Sequence, residues 1–300
     1  MMLRASIIIL LGVLAVPLYA GDTISPAEAW KLGWPAMQGP YGNFRVPQTG
    51  VELVDDLSRA RLAWETEDRD FGRAKHTTGA FKAKTAVGRA QKILDILGPN
   101  PKATPGGWAA PIIAEGKLFA ATFRPAGKLY DVQALAYDEK SRKNPAIARA
   151  RLEADDLVIA VDVKTGKTVW KAAEPGGFVW GVGKRNGFQV APVYDGGKIY
   201  SMGTTGRVFA YAAGDGKKLW QTEPEERMVA ERDKHLARSH ILQASANYAW
   251  QQSLVFAGGT LIVARKTTLF GLDPAKGKKK WELPGVISRW NTPTVWRHEK

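Results

Sequence analysis

A short block of sequence occurs three times in this 300-residue chain, at residues 157–170, 207–220 and 268–281. Each copy joins an apolar run to turn-forming residues, a Gly-Lys step and a Trp four residues after the Gly. A pattern that returns in this way is typical of repeat architectures. Because a repeat specifies a scaffold and function lies in what is added to it, the sequence predicts the architecture but no particular substrate or partner.

The residues before each block predict two further strands and a tight turn. Apolar pairs are followed by turn dipeptides such as Glu115-Gly116 and Gly258-Gly259 and then by a second apolar run, which is a strong hairpin signal. The block itself supplies strands three and four. We therefore expect three four-stranded antiparallel units. They span 108–170, 188–220 and 251–281, and the start of another lies at 291–300, where Thr292-Pro293 resembles Ala110-Pro111 and Ala191-Pro192.

Segments outside the repeats predict short helices and loops. In the N-terminal region, 21–107, a capping box at 25–28 predicts a short helix through Trp30, followed by a loop at 33–43. Residues 57–64 resemble the closing strand of a repeat, and 86–97 have a helical pattern. Within the repeats, an insert in the first unit offers a helix start at 144–145. A second excursion, 222–250, opens with another capping box at 222–225.

The first twenty residues have the pattern of a secretory signal peptide. Arg4 precedes an apolar run at 7–16, and Leu18-Tyr19-Ala20 forms a cleavage site before Gly21. The alternative is an uncleaved N-terminal anchor. The chain has no Cys, which excludes disulfides, thiol catalysis and a lipoprotein anchor. The sequence therefore predicts export to the periplasm or outside the cell, with no membrane span after removal of the signal.

The chain has a formal net charge of +14. A net positive charge of this size favours contact with an anionic surface or an acidic envelope polymer. The Lys278-Lys-Lys280 run is one candidate for this contact. The alternative is that Lys-rich turns are simply solvated and protect strand edges. Nucleic acid is not an expected partner, because the chain is predicted to leave the cytoplasm.

The pattern Ala160-Val-Asp162-x-x-Thr-Gly166-Lys-x-x-Trp170 resembles the pyrroloquinoline-quinone-like repeat. This resemblance covers residues 108–300, with 57–64 as an outlier. It implies an all-β fold, a β-propeller of four-stranded antiparallel blades with short helical insertions. About three blades are complete, so we expect an incomplete ring and a chain that is part of a larger protein. The family includes quinoprotein dehydrogenases and non-catalytic outer-membrane assembly propellers.

The repeat residues have structural roles in this interpretation. Gly166, Gly216 and Gly277 are expected at positive φ in a bulged hairpin. Asp162 and Asp273 are expected to bond the backbone amides that follow them. In the second copy Ala212 replaces this Asp and Asp215 the Thr, which predicts a looser turn. The expected docking residues, each packing on the neighbouring blade with its indole N–H bonded to backbone, are Trp170, Trp220 and Trp281.

The sequence shows no catalytic constellation. Resemblance to the dehydrogenases implies a quinone stacked over the central channel on a Trp and a vicinal disulfide, a carboxylate base, and calcium held by Glu, Asn and Asp. Without Cys the disulfide is excluded, and no matching carboxylate–Asn cluster is evident. His235 and His240 lack the spacing of a metal pair. Four Trp residues in or near loops could stack on a ligand or pack at blade edges: Trp108, Trp180, Trp250 and Trp290.

We therefore predict an exported, non-catalytic propeller that acts as a binding or scaffold module for a protein or an anionic envelope polymer. No catalytic residue, no metal site and no cofactor are expected, and cofactor-binding residues stay unassigned. The alternative hypothesis is an enzyme like the quinoprotein dehydrogenases, with pyrroloquinoline quinone and calcium, or a fragment of one.

Overall fold

A computed structural model describes residues 25–40, 56, 58, 60–71, 109–130, 151–180, 190–203, 206–222, 252–265, 268–286 and 292–295. The elements are α1 (Pro26–Leu32), a 3-10 helix (Arg69–Phe71), β1 (Ile112–Ala114), β2 (Lys117–Tyr130), β3 (Arg151–Asp162), β4 (Thr168–Trp180), β5 (Val193–Asp195), β6 (Lys198–Met202), β7 (Val208–Ala212), β8 (Lys218–Thr222), β9 (Val255–Ala257), β10 (Thr260–Arg265), β11 (Thr268–Leu272) and β12 (Lys279–Pro284). None of the helices in these ranges has the length and apolarity needed to cross a membrane.

The strands form three four-stranded sheets, each an antiparallel meander in sequence order. Sheet one contains β1–β4, sheet two β5–β8 and sheet three β9–β12. The first strands of neighbouring sheets contact each other, so the inner edges of the sheets converge and the fourth strands lie outermost. This arrangement confirms the predicted all-β class and four-stranded blades, and it is consistent with an incomplete β-propeller.

Sheet one is longer than its sequence pattern predicted. The expected second strand ended at residue 120, whereas β2 continues to Tyr130 and stays paired with Arg151, which in turn pairs with Trp180. Part of the predicted insert is therefore strand. The sheet accommodates the Pro and Gly residues of this segment at register shifts, one of which lies between Pro125 and Leu129.

The described part of the N-terminal region contains a helix but no strand. Ser25 and Glu28 form the predicted capping box, with the Glu28 amide 3.2 Å from Ser25 Oγ, and α1 extends two residues beyond Trp30 to Leu32. A strand was predicted at 57–64. Its described residues form none, because no neighbouring strand in the described ranges pairs with them. Thr222 ends β8, and the rest of the helical excursion predicted at 222–250 lies outside the described residues. The helices predicted at 86–97 and from 144–145 and the predicted signal at 1–20 also lie outside them.

Two apolar clusters bind the sheets together. One lies between sheets one and two, where Phe119, Ala160 and Trp170 pack with Ile199 and Tyr211. The other joins all three sheets through residues such as Phe123, Tyr200, Val208, Leu261 and Phe270. A third, smaller cluster covers the opposite face of β3, where Leu157, Ile159 and Val161 contact Trp64 and Phe71. Sheet one is thus covered on both faces.

A pair of glycines in the β7–β8 turn tests how tightly the sheets are joined. Gly216 has φ +75, and a Cβ there would lie 2.6 Å from the Trp170 ring, whereas a Cβ on Gly214 would meet nothing within 4 Å. We expect Gly216→Ala to reduce the free energy of unfolding by about 2–3 kcal/mol, through backbone strain and loss of ring contact. The matched control Gly214→Ala should change it by under about 0.5 kcal/mol. Urea unfolding measures both, and equal effects would contradict this account of the turn.

Candidate functional site

Three Trp rings among the described residues each lie on the turn glycine of the sheet that follows them in the chain. The rings of Trp64, Trp170 and Trp220 cover Gly166, Gly216 and Gly277 in turn. Their indole N–H groups donate to the carbonyl oxygens of Val163 (2.7 Å), Ala213 (3.0 Å) and Pro274 (3.0 Å). A ring that buries apolar area and also satisfies its N–H makes a specific joint between two sheets. The same joint therefore recurs along the chain.

The third-to-fourth-strand turn has one construction in all three sheets. Gly166, Gly216 and Gly277 have φ of +71, +75 and +69. Their amides donate to the carbonyl oxygens of Asp162 (2.9 Å), Ala212 (2.9 Å) and Asp273 (2.7 Å). A register shift precedes each turn, as in a bulged hairpin. The backbone exposed by the Gly is the surface on which the Trp ring lies.

Carboxylates stabilise the turns from within. Asp162 Oδ1 accepts from the amides of Lys164 (3.0 Å) and Thr165 (2.8 Å), and Asp273 Oδ1 accepts from the Ala275 amide (2.7 Å). Hydrogen bonds from Thr165 hold the pKa of Asp162 below its usual range. The looser turn predicted for the second copy is not found. Its Ala212 makes the same backbone bonds, and Asp215 Oδ1 accepts from the Lys217 amide at 3.0 Å instead.

A segment that sequence reasoning had interpreted only as a loop crosses the inner edges of the sheets. Trp34 and Ile113 of β1 exchange two backbone hydrogen bonds, of 2.7 and 2.9 Å. The carbonyl oxygen of Pro35 accepts from the Tyr194 amide of β5 at 2.7 Å. Gln38, only 1 % exposed, donates through Nε2 to the Pro293 carbonyl oxygen at 2.7 Å. We call residues 34–38 the axial strap, because they lie where the innermost strands converge.

Two hydroxyl side chains continue these contacts around the axis. Ser253 Oγ accepts from the Ala191 amide at 3.0 Å, and Thr292 Oγ1 accepts from the Ser253 amide at 3.0 Å. The Ser253 hydroxyl also lies 3.4 Å from Met37 Sδ of the axial strap. Ala191 and Ser253, which precede β5 and β9, and Thr292 are thus linked by a chain of hydrogen bonds. In the sequence, Ser253 and Thr292 stand at the positions that Ala110 and Ala191 occupy in the first two units. From the sequence alone we assigned no role to this difference.

A buried charged cluster lies between sheets one and two. Glu174 of β4 accepts from Lys218 Nζ at 2.8 Å and from the Tyr211 hydroxyl at 3.1 Å. Asp156 of β3 lies 3.5 Å from Arg207, which also donates to the Pro175 carbonyl oxygen at 2.6 Å. Burial and the Glu174 charge raise the pKa of Tyr211 well above its usual range. The cluster thus brings the basic side chains of Arg207 and Lys218 against the carboxylates of sheet one.

A second ionic contact attaches the N-terminal segment to sheet one. Lys171 of β4 reaches Asp68 at 2.8 Å and Asp70 at 2.5 Å, and Thr168 Oγ1 donates to Asp68 at 2.7 Å. Burial alone would raise the pKa of Asp68 and lower that of Lys171. The hydrogen bonds between them outweigh burial, so the pKa of Asp68 lies below and that of Lys171 above its usual value.

Sheet three has an apolar face that the other described residues leave open. Trp281, opposite Gly271 in the β11–β12 ladder, is 40 % exposed, and Leu283, opposite Leu269, is 51 % exposed. Their counterparts in sheet one, Trp170 and Ala172, pack in the cluster between sheets one and two, where Trp170 is buried and Ala172 is partly buried. We call this the Trp281 face. It has the geometry that receives another sheet in the two preceding joints.

The structure brings the predicted repeat residues together in pairs across sheets: Trp170 with Gly216, and Trp220 with Gly277. Trp64 joins Gly166 in the same way, and Trp281 meets no turn glycine in the described ranges. Within those ranges no group of three or more His, Asp or Glu could hold a metal ion. The four histidines and Trp108, Trp250 and Trp290 lie outside them, while Trp180 ends β4.

Residues 154–288 match a family model described as outer membrane protein assembly factor BamB. Among solved structures, BamB from Moraxella catarrhalis is 15% identical over 45% of this chain and 33% of its own, with a TM-score of 0.28. Quinohemoprotein alcohol dehydrogenase from Comamonas testosteroni is 16% identical over 60% of this chain and 21% of its own, with a TM-score of 0.34. The match thus spans a third or less of each. No curated protein matches the sequence significantly.

Two docking residues provide a test of the joint. Trp220 packs with Tyr200 and on Gly277 of sheet three, whereas Trp281 is exposed on the open face. We expect Trp220→Ala to lower the free energy of unfolding by about 3 kcal/mol, because it removes a large, partly buried ring and leaves the Pro274 carbonyl oxygen with only the Tyr200 hydroxyl, at 3.3 Å, as donor. Trp281→Ala should cost clearly less. Chemical denaturation of the two variants measures the difference, and equal losses would show that docking on the next turn is not the stabilising contact.

The Asp68–Lys171 pair predicts a pH dependence. A lowered carboxyl pKa stabilises the folded chain above its ordinary value of 3.8, and this contribution is lost as the pH falls through the lowered pKa. The raised pKa of Lys171 contributes below 10.5 and is lost at higher pH. We expect Asp68→Asn to cost about 1 kcal/mol at neutral pH, the scale of a partly exposed ion pair, and almost nothing once the pH has fallen below the lowered pKa of Asp68. Urea unfolding across this range measures it, with the exposed Glu67→Gln as the charge-matched control. A cost that persists in acid would contradict the assignment.

Proposed function

Because residues 154–288 carry repeats of the pyrroloquinoline-quinone-like propeller family, we propose that this chain is an exported, non-catalytic propeller module that binds a protein partner. The observation that carries the proposal is the position of the axial strap. The chain's own residues 34–38 take up backbone groups on the inner strands, Ile113 of β1 and Tyr194 of β5. The enzyme branch of the family stacks its quinone over this axis, so the strap supports a scaffold rather than an axial catalyst.

The positions of the buried carboxylates among the described residues support a module without an axial quinone and calcium. The buried carboxylates Asp156 and Glu174 lie between sheets one and two, next to Arg207 and Lys218, and not at the axis. A cation would have to compete there with two basic side chains already in place. These contacts support the use of charged residues for sheet pairing, and we derive no reaction step from them.

The outer strands offer the surface for a partner. Val169 of β4 and Leu219 of β8 precede the docking residues Trp170 and Trp220 and are 47 % and 44 % exposed. Fourth strands also form sheet edges, where a second chain finds apolar side chains beside unpaired backbone groups. The Trp281 face supports a different contact, with a further blade-like sheet that extends the ring.

Export is part of the proposal and rests on Arg4, the apolar run at 7–16 and the cleavage site before Gly21. An anionic envelope polymer is a second candidate partner, favoured by the net charge of +14 and by the Lys278–Lys280 run in the β11–β12 region. Both partners would meet the chain in the same compartment, and their salt dependence separates them, since polyanion contacts weaken steeply with added salt.

The first arm of the test is thermal unfolding of the mature chain with and without excess pyrroloquinoline quinone and calcium. The measured mass of this mature chain should correspond to a chain that starts at Gly21. A ligand that binds only the folded state at one hundred times its dissociation constant adds roughly 2.7 kcal/mol of stability. We expect no shift, and a clear rise in the transition temperature would favour the dehydrogenase alternative.

The second arm is chemical crosslinking in an envelope extract, comparing the wild-type chain with Leu219→Arg. Gly214→Arg is the matched control, because it adds the same charge at an exposed position where a Cβ meets nothing within 4 Å. We expect Leu219→Arg alone to lose a specific crosslinked protein. Loss in both variants, or retention in both, would contradict an outer-strand interface. Binding of dextran sulfate that disappears with salt, without a protein crosslink, would favour the polymer.

A further inference from the structure

We propose that the axial strap is a clasp that couples the inner edges of the three sheets and residues 292–295 into one cooperative unit. The proposal does not depend on the proposed binding function. Its starting point is that the strap contacts four successive units within five residues: Trp34 with Ile113, Pro35 with Tyr194, Met37 with Ser253 and Gln38 with Pro293. Each docking Trp, in contrast, joins only two neighbouring sheets.

The first two contacts explain why the strap is bound through its backbone. β1 and β5 are the inner edge strands of sheets one and two, so their outward backbone groups have no strand partner in the same sheet. The Ile113 amide donates to the Trp34 carbonyl oxygen at 2.9 Å, and the Tyr194 amide donates to the Pro35 carbonyl oxygen at 2.7 Å. An edge amide near the axis is costly to leave without an acceptor, and the strap supplies one to both sheets.

The strap is itself held in one shape. The Trp34 indole donates to the Met37 carbonyl oxygen at 3.3 Å and lies over Gly39, where a Cβ would be 2.8 Å from the ring. Gly39 also has φ +77, which favours glycine. Because Trp34 closes the turn, the contact with sheet one and the contacts of Met37 and Gln38 form together.

The last two contacts reach the hydroxyl chain between units. Met37 Sδ lies beside the Ser253 hydroxyl, which accepts from the Ala191 amide, while the Ser253 amide donates to Thr292. Gln38 holds Pro293, the next residue, at 2.7 Å. The Ser253 amide makes its hydrogen bond to Thr292 and not to the strap. Protection of the Ser253 amide against hydrogen exchange therefore reports coupling through the clasp rather than the loss of a hydrogen bond to the strap.

The test is amide hydrogen exchange of the full chain in the variant Gln38→Ala, which removes the buried donor to Pro293. If the clasp couples the units, protection of the Ile113, Tyr194 and Ser253 amides should fall together, by about tenfold each. The Asp162 amide, bonded to the Lys167 carbonyl oxygen in a turn of sheet one, should keep its protection and serves as the internal reference. Ser25→Ala is the matched control, because it disrupts the cap of α1 without touching the strap.

Gly39→Ala provides a second, independent disruption, since its Cβ would displace the Trp34 ring. It should reproduce the joint loss at the three amides, and if this chain does not fold, Gln38→Ala decides alone. Loss confined to one of the three amides would overturn the proposal, because the strap contacts would then be separate. So would unchanged protection at all three, or an equal loss at Asp162, which would indicate general destabilisation.

Discussion

The contact of a Trp ring with the turn glycine of the next sheet is the constraint on which this structure depends. The ring needs bare backbone beneath it, because a Cβ on Gly166, Gly216 or Gly277 would lie within 2.6 Å of indole atoms. The same turn places a carbonyl oxygen where the indole N–H can donate. Burial, hydrogen bonding and backbone conformation are thus required at one point, and each sheet fixes the position of the following one.

The polar groups that hold the sheets together lie in two places, between neighbouring sheets and at the axis. Asp156 and Glu174 of sheet one face Arg207, Tyr211 and Lys218, so the charged groups meet where sheets one and two pack together. At the inner edge, where the first strands expose backbone groups, the chain supplies its own acceptors through the axial strap. The outer strands and the Trp281 face are left for other surfaces. This distribution is why we interpret the chain as a module that binds rather than one that reacts.

Several elements were predictable because their signals are local. The block ending in Trp170 predicts a bulged hairpin from its Asp, Gly and spacing, and the Ser25–Glu28 capping box predicts the start of α1. Other expectations failed where tertiary contacts outweigh local preference. The second strand was expected to end at Ala120, yet β2 continues to Tyr130 because β3 offers a long partner strand. Ala212 predicted a loose turn, but Asp215 supplies an equivalent hydrogen bond from another position.

The sequence by itself determined the repeat, the four-stranded unit and two of the docking residues, Trp170 and Trp220. Periodicity, turn chemistry and glycine conformation depend on residues close together in the chain. Only the tertiary structure decided that Gln38 meets Pro293, that Ser253 links Ala191 to Thr292, and that Glu174 faces Lys218. These partners are distant in sequence, and no local pattern specifies which backbone group at a sheet edge will lack a partner until the sheets are assembled. The physical reason is that a buried donor or acceptor acquires its partner from whatever the fold places beside it.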